Sequence, residues 1–285
     1  MDIKSLAEQY NDYIIDRRRY YHTCPELSGE EKNTRAHLKE DLEALGITDI
    51  HEMETCYGLT ATIHGGKPGK TVALRADIDA LPVKEETGLP FASHNEGKMH
   101  ACGHDNHMAM LLGAAKILNE VKDELSGDVR LVFQPAEETA VGALRMMEEH
   151  ALDGVDAIYG VHVWGTYDAP GIAFPAGNLM ACCHGFTIEV EGKSAHASAP
   201  HEGVDAVMVA SSILQSIQQL VSRMNDPLNP LVITVGKVTA GNRWNVLAGP
   251  HWRAPCVPSS PARRWRTRCV RWPSVPLQPS APRRP

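Results

Sequence analysis

Residues 129–138 read Val-Arg-Leu-Val-Phe-Gln-Pro-Ala-Glu-Glu, a short apolar run that ends in a proline and two adjacent acids. A run of this length, rich in branched and aromatic side chains, is typical of a buried β-strand. Three further segments with strand character lie at residues 58–64, 71–76 and 157–163. Residues 129–138 therefore predict one strand of a sheet, with two carboxylates just past its end.

Helix-forming segments precede and separate these strands. Amphipathic stretches are predicted over residues 6–21, 28–46, 106–121 and 141–150. In the second of them, Ser28 and Glu31 fit a capping box, and Gly46 supplies a left-handed exit. Strands that alternate with helices indicate an α/β fold with helices on both faces of the sheet.

The pattern changes near residue 177, beyond which we expect a smaller α+β domain. A strand is predicted over residues 186–191, a helix over 204–223 and a strand over 231–238. We therefore divide the chain into an α/β domain at 1–177, a smaller α+β domain at 178–249 and a tail at 250–285.

The tail has an unusual composition. Residues 250–285 contain nine of the nineteen prolines and eight arginines, but no acid. Because proline lacks the N–H donor that helices and central strands need, we expect this segment not to fold. A native disordered tail and translation out of frame after Gly249 both explain it. The second interpretation predicts that the chain as written is a poor enzyme.

Charge and composition exclude several classes of protein. The net charge of −7 combines the basic tail with residues 1–249, which carry 20 basic and 35 acidic side chains. So acidic a body disfavours nucleic acid as a partner. The sequence has neither a signal-peptide core nor an apolar run of the roughly 20 residues that cross a bilayer, so we expect a cytoplasmic protein. Seven scattered cysteines favour reduced thiols or metal ligands over a disulfide framework.

Residues 100–107 read His-Ala-Cys-Gly-His-Asp-Asn-His and form the densest group of candidate metal ligands. Thiolate and imidazole are the ligands that zinc and related transition metals recruit. Spacing alone does not decide which of these side chains bind an ion. The alternative is that the histidines cap and pack, and that the cysteine is inert.

Other candidates follow predicted strands. Of the adjacent acids Glu137 and Glu138, one could bind a metal while the other accepts a proton from water, although a helix N-terminus also favours acids. His162 lies at the end of a strand, where α/β sheets place ligands, but it could be purely structural. Asp77 and Asp79 are suited to orienting histidine ligands, or could belong to a solvated turn.

Together these segments resemble one family, the aminoacylase, hippurate hydrolase and indole-acetyl-amino-acid hydrolase branch of the co-catalytic metallopeptidases. The resemblance runs from Arg17 to about Gly249 and includes Gly-Lys-Ser-Ala-His at residues 192–196. It implies that residues 1–177 belong to a zinc-exopeptidase-like three-layer α/β catalytic domain that binds metal. It also implies that residues 178–249 form a smaller inserted α+β domain, an incomplete lid or dimerisation domain. Position by position, it assigns the metal ligands to Cys102, His104, Glu138 and His162. It assigns the general base to Glu137.

The resemblance also implies a reaction and a quaternary arrangement. Two divalent ions, zinc, manganese or cobalt, would serve hydrolysis of an N-acyl amino acid to a carboxylic acid and a free amino acid. His196 would reach the partner's site in a homodimer formed through the smaller domain, and Asn245 would contact substrate. The family has a fifth metal-binding histidine that residues 250–285 do not match. The alternatives are a dipeptidase or carboxypeptidase on the same core, and an inactive remnant that only dimerises or binds ligand.

Overall fold

The computed structural model describes residues 2–166, 171–174, 176, 182–183, 185–249 and 252–260. The chain forms two compact units, Met1–Ala169 and Pro170–Pro285. None of the helices in these described segments combines the length and apolar character required to span a bilayer. The roles of the units as catalytic and dimerisation domains, and the predicted boundary at residue 177, stay predictions.

The larger unit is built on a five-stranded mixed sheet. The strands, in chain order, are β1 (Ile50–Glu52), β2 (Leu59–Ile63), β3 (Val72–Asp77), β4 (Val129–Gln134) and β5 (Ala157–Gly160). Their order across the sheet is β1-β2-β4-β3-β5. Strand β3 pairs in parallel with both β4 and β5, whereas β2 pairs antiparallel with β1 and β4. The carboxyl ends of β3, β4 and β5 therefore meet at one edge.

Five helices accompany this sheet. They are α1 (Ile3–Gln9), α2 (Asn11–Thr23), α3 (Lys32–Ala44), α4 (His104–Glu120) and α5 (Gly142–Glu148), with a short 3-10 turn at Lys122–Glu124. Alternate residues of β4 face opposite sides, as the period of a strand requires. Phe133 packs in a core with Leu38 of α3 and Leu112 of α4. Val132 packs in a second core with Met146 of α5.

The two cores on opposite faces of the sheet make the larger unit a helix–sheet–helix sandwich. The predicted α/β class and its three-layer arrangement are confirmed. The predicted helix over residues 6–21 is divided instead, because α1 ends at Gln9 and α2 begins at Asn11. Strand β1 was not predicted, since its three residues are too few to show a period.

The capping box predicted for α3 is wrong. Glu31 itself occupies the N-cap position, and its side chain makes no capping bond to the helix. The Ser28 hydroxyl donates instead to Asp79 Oδ2 at 2.6 Å. The residue spacing was compatible with a capping box, but long-range partners bind both side chains.

The smaller unit pairs a helix with a four-stranded sheet. Its elements are β6 (Cys182–Cys183), β7 (Phe186–Val190), a 3-10 turn at Pro200–Glu202, α6 (Ala206–Gln219), a π-helical turn at Leu220–Met224, β8 (Val232–Val235) and β9 (Trp252–Ser260). Asp205 caps α6, because its side chain accepts from the backbone N–H groups of Val207 and Met208. Ala206 and Ala210 of α6 pack near Ile188 of β7. Small residues on this helix face allow a close approach to the strand.

Strand β9 differs from the expectation that residues 250–285 contribute no central strand, because the structure pairs it with β6, β7 and β8. The register explains how its prolines are accommodated. Residues 252–256 pair with β7, whereas residues 256–259 pair with β8. Among the described residues, Pro255 therefore has a paired residue only in β7, and Pro258 only in β8. A proline without an N–H is tolerated where one side of the strand needs no donor.

Candidate metal centre

The candidate residues of the larger unit lie at the shared edge where β3, β4 and β5 end. Asp77 is the last residue of β3, Glu137 and Glu138 follow β4, and His162 follows β5. Helix α4 begins at this edge with His104. Parallel strands make this convergence possible, because their carboxyl ends point the same way.

Gly103 joins Cys102 to α4 and tolerates no side chain. Its φ of +92° lies in the left-handed region that favours glycine. A Cβ atom at this position would lie 2.4 Å from Val163 Cγ2. The absence of a side chain therefore lets the Cys102–His104 turn approach the segment that carries His162.

Three groups of candidate ligands share His104. The ligand atoms of Cys102, His104 and His162 all lie within 4.8 Å of one another, and so do those of His104, Glu137 and Glu138 and those of Asp77, His104 and His107. Cys102 Sγ lies 3.5 Å from His162 Nε2. The structure thus brings together the residues to which the family resemblance assigned a ligand or base role in this unit. Their roles stay predictions.

Both histidines present the same ring nitrogen to the centre of this cluster. His104 Nδ1 donates to the backbone carbonyl of Asp79 at 2.8 Å, and His162 Nδ1 donates to the carbonyl of Val163 at 2.6 Å. A histidine that donates from Nδ1 keeps a lone pair on Nε2, which is the usual arrangement in metal sites. The backbone therefore selects the tautomer that a metal needs.

The surroundings of His104 fit a bound cation. Among the described residues, its buried Nε2 atom has no hydrogen-bond partner. That atom lies 3.6 Å from Asp77 Oδ2 and 3.8 Å from Glu138 Oε1. Burial opposes protonation, but the neighbouring Asp79, Cys102 and Asp77 side chains raise the pKa of His104 to about 11. A divalent ion would supply the positive charge that these groups stabilise.

Asp77 is held by two side chains to which the sequence gave no role. Arg75 Nη1 donates to Asp77 Oδ2 at 2.6 Å, and His107 Nδ1 donates to Asp77 Oδ1. Burial alone would raise the pKa of Asp77, but the hydrogen bond from His107 and the charge of Arg75 hold it below its usual range. Asp77 therefore stays ionised beside His104.

His107 also connects two strand ends. Its Nε2 atom accepts from the backbone N–H of Val163 at 3.0 Å, while its Nδ1 atom binds Asp77 of β3. His107 was among the candidate ligands but received no assignment. Its distance of three residues from His104 places both on one face of a helix, and this spacing was the signal available in the sequence.

Asp79 connects His104 with the glutamate pair. Its backbone accepts from His104, and its Oδ2 atom accepts from the backbone N–H of Glu138 at 3.1 Å. The Ser28 hydroxyl binds the same oxygen. These contacts support the predicted orienting role of Asp79.

Glu137 has the surroundings expected of a proton-transfer group. Burial raises its pKa, and the nearby charges of Glu138 and Asp77 raise it further. Its neighbour Glu138 has its backbone fixed by Asp79 and its carboxylate near His104. The two adjacent acids therefore differ in environment, as a division between base and ligand requires.

The smaller unit brings its two predicted residues beside each other. His196 forms a backbone bridge with Val246, and the N–H of Ala197 donates to the carbonyl of Asn245 at 3.1 Å. The His196 ring is exposed, and Ser198 is its hydrogen-bond partner, with Nδ1 2.7 Å from the Ser198 hydroxyl oxygen. Its roles in catalysis and dimerisation, and substrate contact by Asn245, stay predictions.

Comparison with known proteins identifies the family. The family model described as Peptidase family M20/M25/M40 matches residues 73–255. The chain belongs to this family. The family model includes every candidate site residue of both units, from Asp77 to Asn245, and the resemblance drawn from the motifs is confirmed.

Members of the M20/M25/M40 family with stated activities are similar over most of the chain. An N-acetyl-L-cysteine deacetylase of Bacillus subtilis (strain 168) is 45% identical, over 86% of this chain and 61% of the relative. An N-acyl-L-amino acid amidohydrolase of Geobacillus stearothermophilus is 41% identical, over 87% of this chain and 67% of the relative. The chain thus spans about two thirds or less of the length of these two relatives.

A solved structure shares the fold. The crystal structure of a Bacillus subtilis protein, described as a dinuclear metal binding peptidase from the M20 family, superposes with a TM-score of 0.67 at 35% sequence identity. The match covers 88% of this chain and 65% of that chain. The fold is therefore that of a metal-binding M20 protein.

Proposed function

We propose that this protein hydrolyses the amide bond of N-acyl amino acids with two divalent metal ions bound at the carboxyl edge of β3, β4 and β5. The observation that carries the proposal is the buried His104 Nε2 atom, which has no hydrogen-bond partner among the described residues, while His104 belongs to all three groups of converging ligands. The acyl-amino-acid activities of the relatives supply the substrate class.

The residues would divide the work as follows. Cys102, His104, Glu138 and His162 would hold the ions, with Asp77 and Asp79 fixing the geometry around His104. Bound there, divalent ions supply Lewis acidity, which lowers the pKa of water and polarises the amide carbonyl. The ions are zinc, manganese or cobalt, the set that thiolate, imidazole and carboxylate ligands accept.

Glu137 would carry the proton. Its carboxylate would accept a proton from the attacking water while the water oxygen bonds to the amide carbon. It would then donate that proton to the nitrogen as the C–N bond breaks, giving a carboxylic acid and a free amino acid. A carboxylate bound directly to a metal is a poorer proton shuttle, so Glu137 and Glu138 would have separate tasks.

His196 would stabilise the oxyanion that develops on the carbonyl oxygen. Because its ring is exposed in the single chain, we place this role in a homodimer formed through the smaller unit, where the ring reaches the partner's site. Asn245, on the adjoining backbone segment, would contact substrate. The cytoplasm stays the predicted location.

The experiment is a metal-dependent hydrolysis assay on the full chain. Metal-stripped protein is reconstituted with zinc, manganese or cobalt, and release of free amino acid from N-acetyl and N-benzoyl amino acids is measured. We expect release only with metal. Preferred cleavage of dipeptides would favour a peptidase on the same core, and metal binding without any turnover would indicate an inactive remnant.

A further inference from the structure

Glu31 is a fully buried acid without a balancing charge among the described residues. Its side chain has no solvent exposure, and no described basic side chain forms an ion pair with it. Its carboxylate instead accepts two backbone N–H groups, from Gly29 at 2.9 Å and from Ala136 at 2.8 Å. Burying a carboxylate this way is costly, so its retention needs a reason.

One of these two bonds reaches the residue that precedes Glu137. Ala136 has a φ of +49°, in the left-handed region that alanine rarely adopts. Such a conformation costs on the order of 1–3 kcal/mol and persists only when neighbouring contacts enforce it. Because Ala136 directly precedes the candidate base Glu137, its strained backbone conformation affects where the Glu137 side chain lies.

Contacts enforce this conformation on both sides of Ala136. Its N–H is bound by Glu31, while its carbonyl accepts from the N–H of Gly142 at 3.3 Å and the hydroxyl of Thr139 at 3.3 Å. The carbonyl contacts come from residues 139–142, which follow Ala136 closely in the chain and run into the first residue of α5. Among the described hydrogen bonds of Ala136, the bond to Glu31 is the one that joins it to a residue distant in sequence.

Free space lies beside this attachment. A cavity of about 860 Å³ is lined in part by Glu31, Ala136, Thr139 and Arg35. Without the bond from Ala136 to Glu31, the loop would have room to relax toward the cavity. Glu138 has a second attachment, because its N–H donates to Asp79, whereas no described hydrogen bond attaches Glu137's side chain.

We propose that Glu31 is a positioning residue that holds Ala136 in its strained conformation and thereby sets the place of the Glu137 carboxylate. The part that concerns Glu137 in catalysis rests on the proposed function. Burial raises the pKa of Glu31, although the hydrogen bonds from the backbone N–H groups of Ala136 and Gly29 oppose the rise.

The test of the attachment is amide hydrogen exchange in the metal-free chain, with Glu31→Met, Glu31→Gln and the control Glu30→Gln. Methionine fills a similar volume without an acceptor, while glutamine keeps one carbonyl oxygen. Glu30 is the matched control, because it is an exposed acid paired with Lys98. We expect Glu31→Met to speed exchange at Ala136 roughly ten- to a hundredfold, with a smaller effect for Glu31→Gln.

The amide of Val132, in the middle of β4, separates local from global effects. Faster exchange at Ala136 with Val132 unchanged supports the attachment. An equal change at both amides, or no change at Ala136, overturns the proposal and leaves Glu31 as a residue of general stability.

Kinetic measurements on the metal-loaded chain test the part of the proposal that concerns Glu137 in catalysis. We expect Glu31→Met to lower kcat on the order of 10²-fold with little change in KM, since small displacements of a reacting group have effects of this size. Metal content should stay at the level of the unchanged chain, because Asp79 still fixes Glu138. Normal kcat alongside faster Ala136 exchange would overturn this part. If the parent chain does not hydrolyse the substrates, the proposed function is refuted instead. Amide hydrogen exchange then still tests whether Glu31 holds Ala136.

Discussion

His104 in the larger unit and His196 in the smaller unit were both selected from sequence motifs, yet the structure treats them differently. His104 is completely buried, and Asp77, Asp79 and Glu138 surround it. His196 is exposed, and its described hydrogen-bond partner is its near neighbour Ser198. The described hydrogen bonds of the His104 ring are long-range, whereas those of the His196 ring are local.

This difference separates two requirements of the proposed reaction. Long-range contacts can assemble metal ligands within one chain, because α4 and the three parallel strands fix them at a common edge. An exposed ring with a local partner acquires a catalytic role only when something else brings it to a substrate. Metal binding should therefore depend on the larger unit alone, whereas turnover should depend on both units.

The largest expected effect is on Glu137. Glu137→Gln removes the group that takes up a proton and should lower kcat by about 10²–10⁴-fold. Metal content should not change, because Glu137 is not assigned as a ligand. The measurement is hydrolysis of N-acetyl amino acids together with metal analysis, with exposed Glu86→Gln as the matched control. Near-normal turnover by the Glu137→Gln variant would contradict the assignment of Glu137 as the general base.

A smaller effect is expected at His196. His196→Ala should lower kcat by roughly 10²–10³-fold, the range found when one donor to an oxyanion is lost. The same variant should bind metal normally, which distinguishes it from changes at His104. His201→Ala is the control, since His201 is an exposed histidine of the same unit. Unchanged kcat in His196→Ala would place this residue outside the reaction.

Two histidines within the larger unit, His22 and His64, allow a buried and an exposed ring with similar partners to be compared. His22 Nδ1 lies 2.7 Å from Asp105 and its Nε2 3.2 Å from Glu85, so both ring nitrogens donate. His64 has the same arrangement between Asp128 and Asp49, but its side chain is 65% exposed. The hydrogen bond to Asp105 raises the pKa of His22, although burial opposes the rise.

The last expected effect is a pH dependence of the free energy of unfolding. A histidine whose pKa is higher in the folded state than in the unfolded state stabilises the protein. This contribution is complete at pH values below the unfolded-state pKa of about 6.5. That contribution is lost as pH rises through the folded pKa. Urea unfolding at several pH values should show a larger loss for His22→Ala than for His64→Ala near pH 6, about 3–5 against less than about 1 kcal/mol. The difference in destabilisation between His22→Ala and His64→Ala should become smaller at alkaline pH. A difference that does not change with pH would argue against a charged His22.

The sequence predicted the site's location because strand ends carry a clear local signal. Apolar runs followed by Asp77, Glu137 and His162 indicate strand carboxyl ends, and parallel pairing follows from alternating strands and helices. The family resemblance then selected among ligands that spacing left open. The selected residues lie in a spatial cluster around His104; they are Cys102, His104, Glu138 and His162.

Long-range partners were beyond the reach of local patterns. Glu31 looked like a capping residue because it follows Ser28 by three positions, yet its partner Ala136 is more than 100 residues away. The pairing of β9 was missed for a related reason. A high proline content generally argues against a strand. Whether a strand can contain a given proline depends on which of its two sides needs an N–H donor at that position.

The central claim is that one chain assembles a metal centre at the carboxyl edge of its larger unit, and zinc binding tests it most directly. Metal-stripped protein is dialysed against buffered zinc, and bound zinc is measured for the parent, His104→Ala and the control His37→Ala. His104 belongs to each candidate ligand group among the described residues, whereas His37 is a surface residue of α3. We predict zinc on the parent and the control but not on folded His104→Ala. Equal zinc on all three would contradict the account.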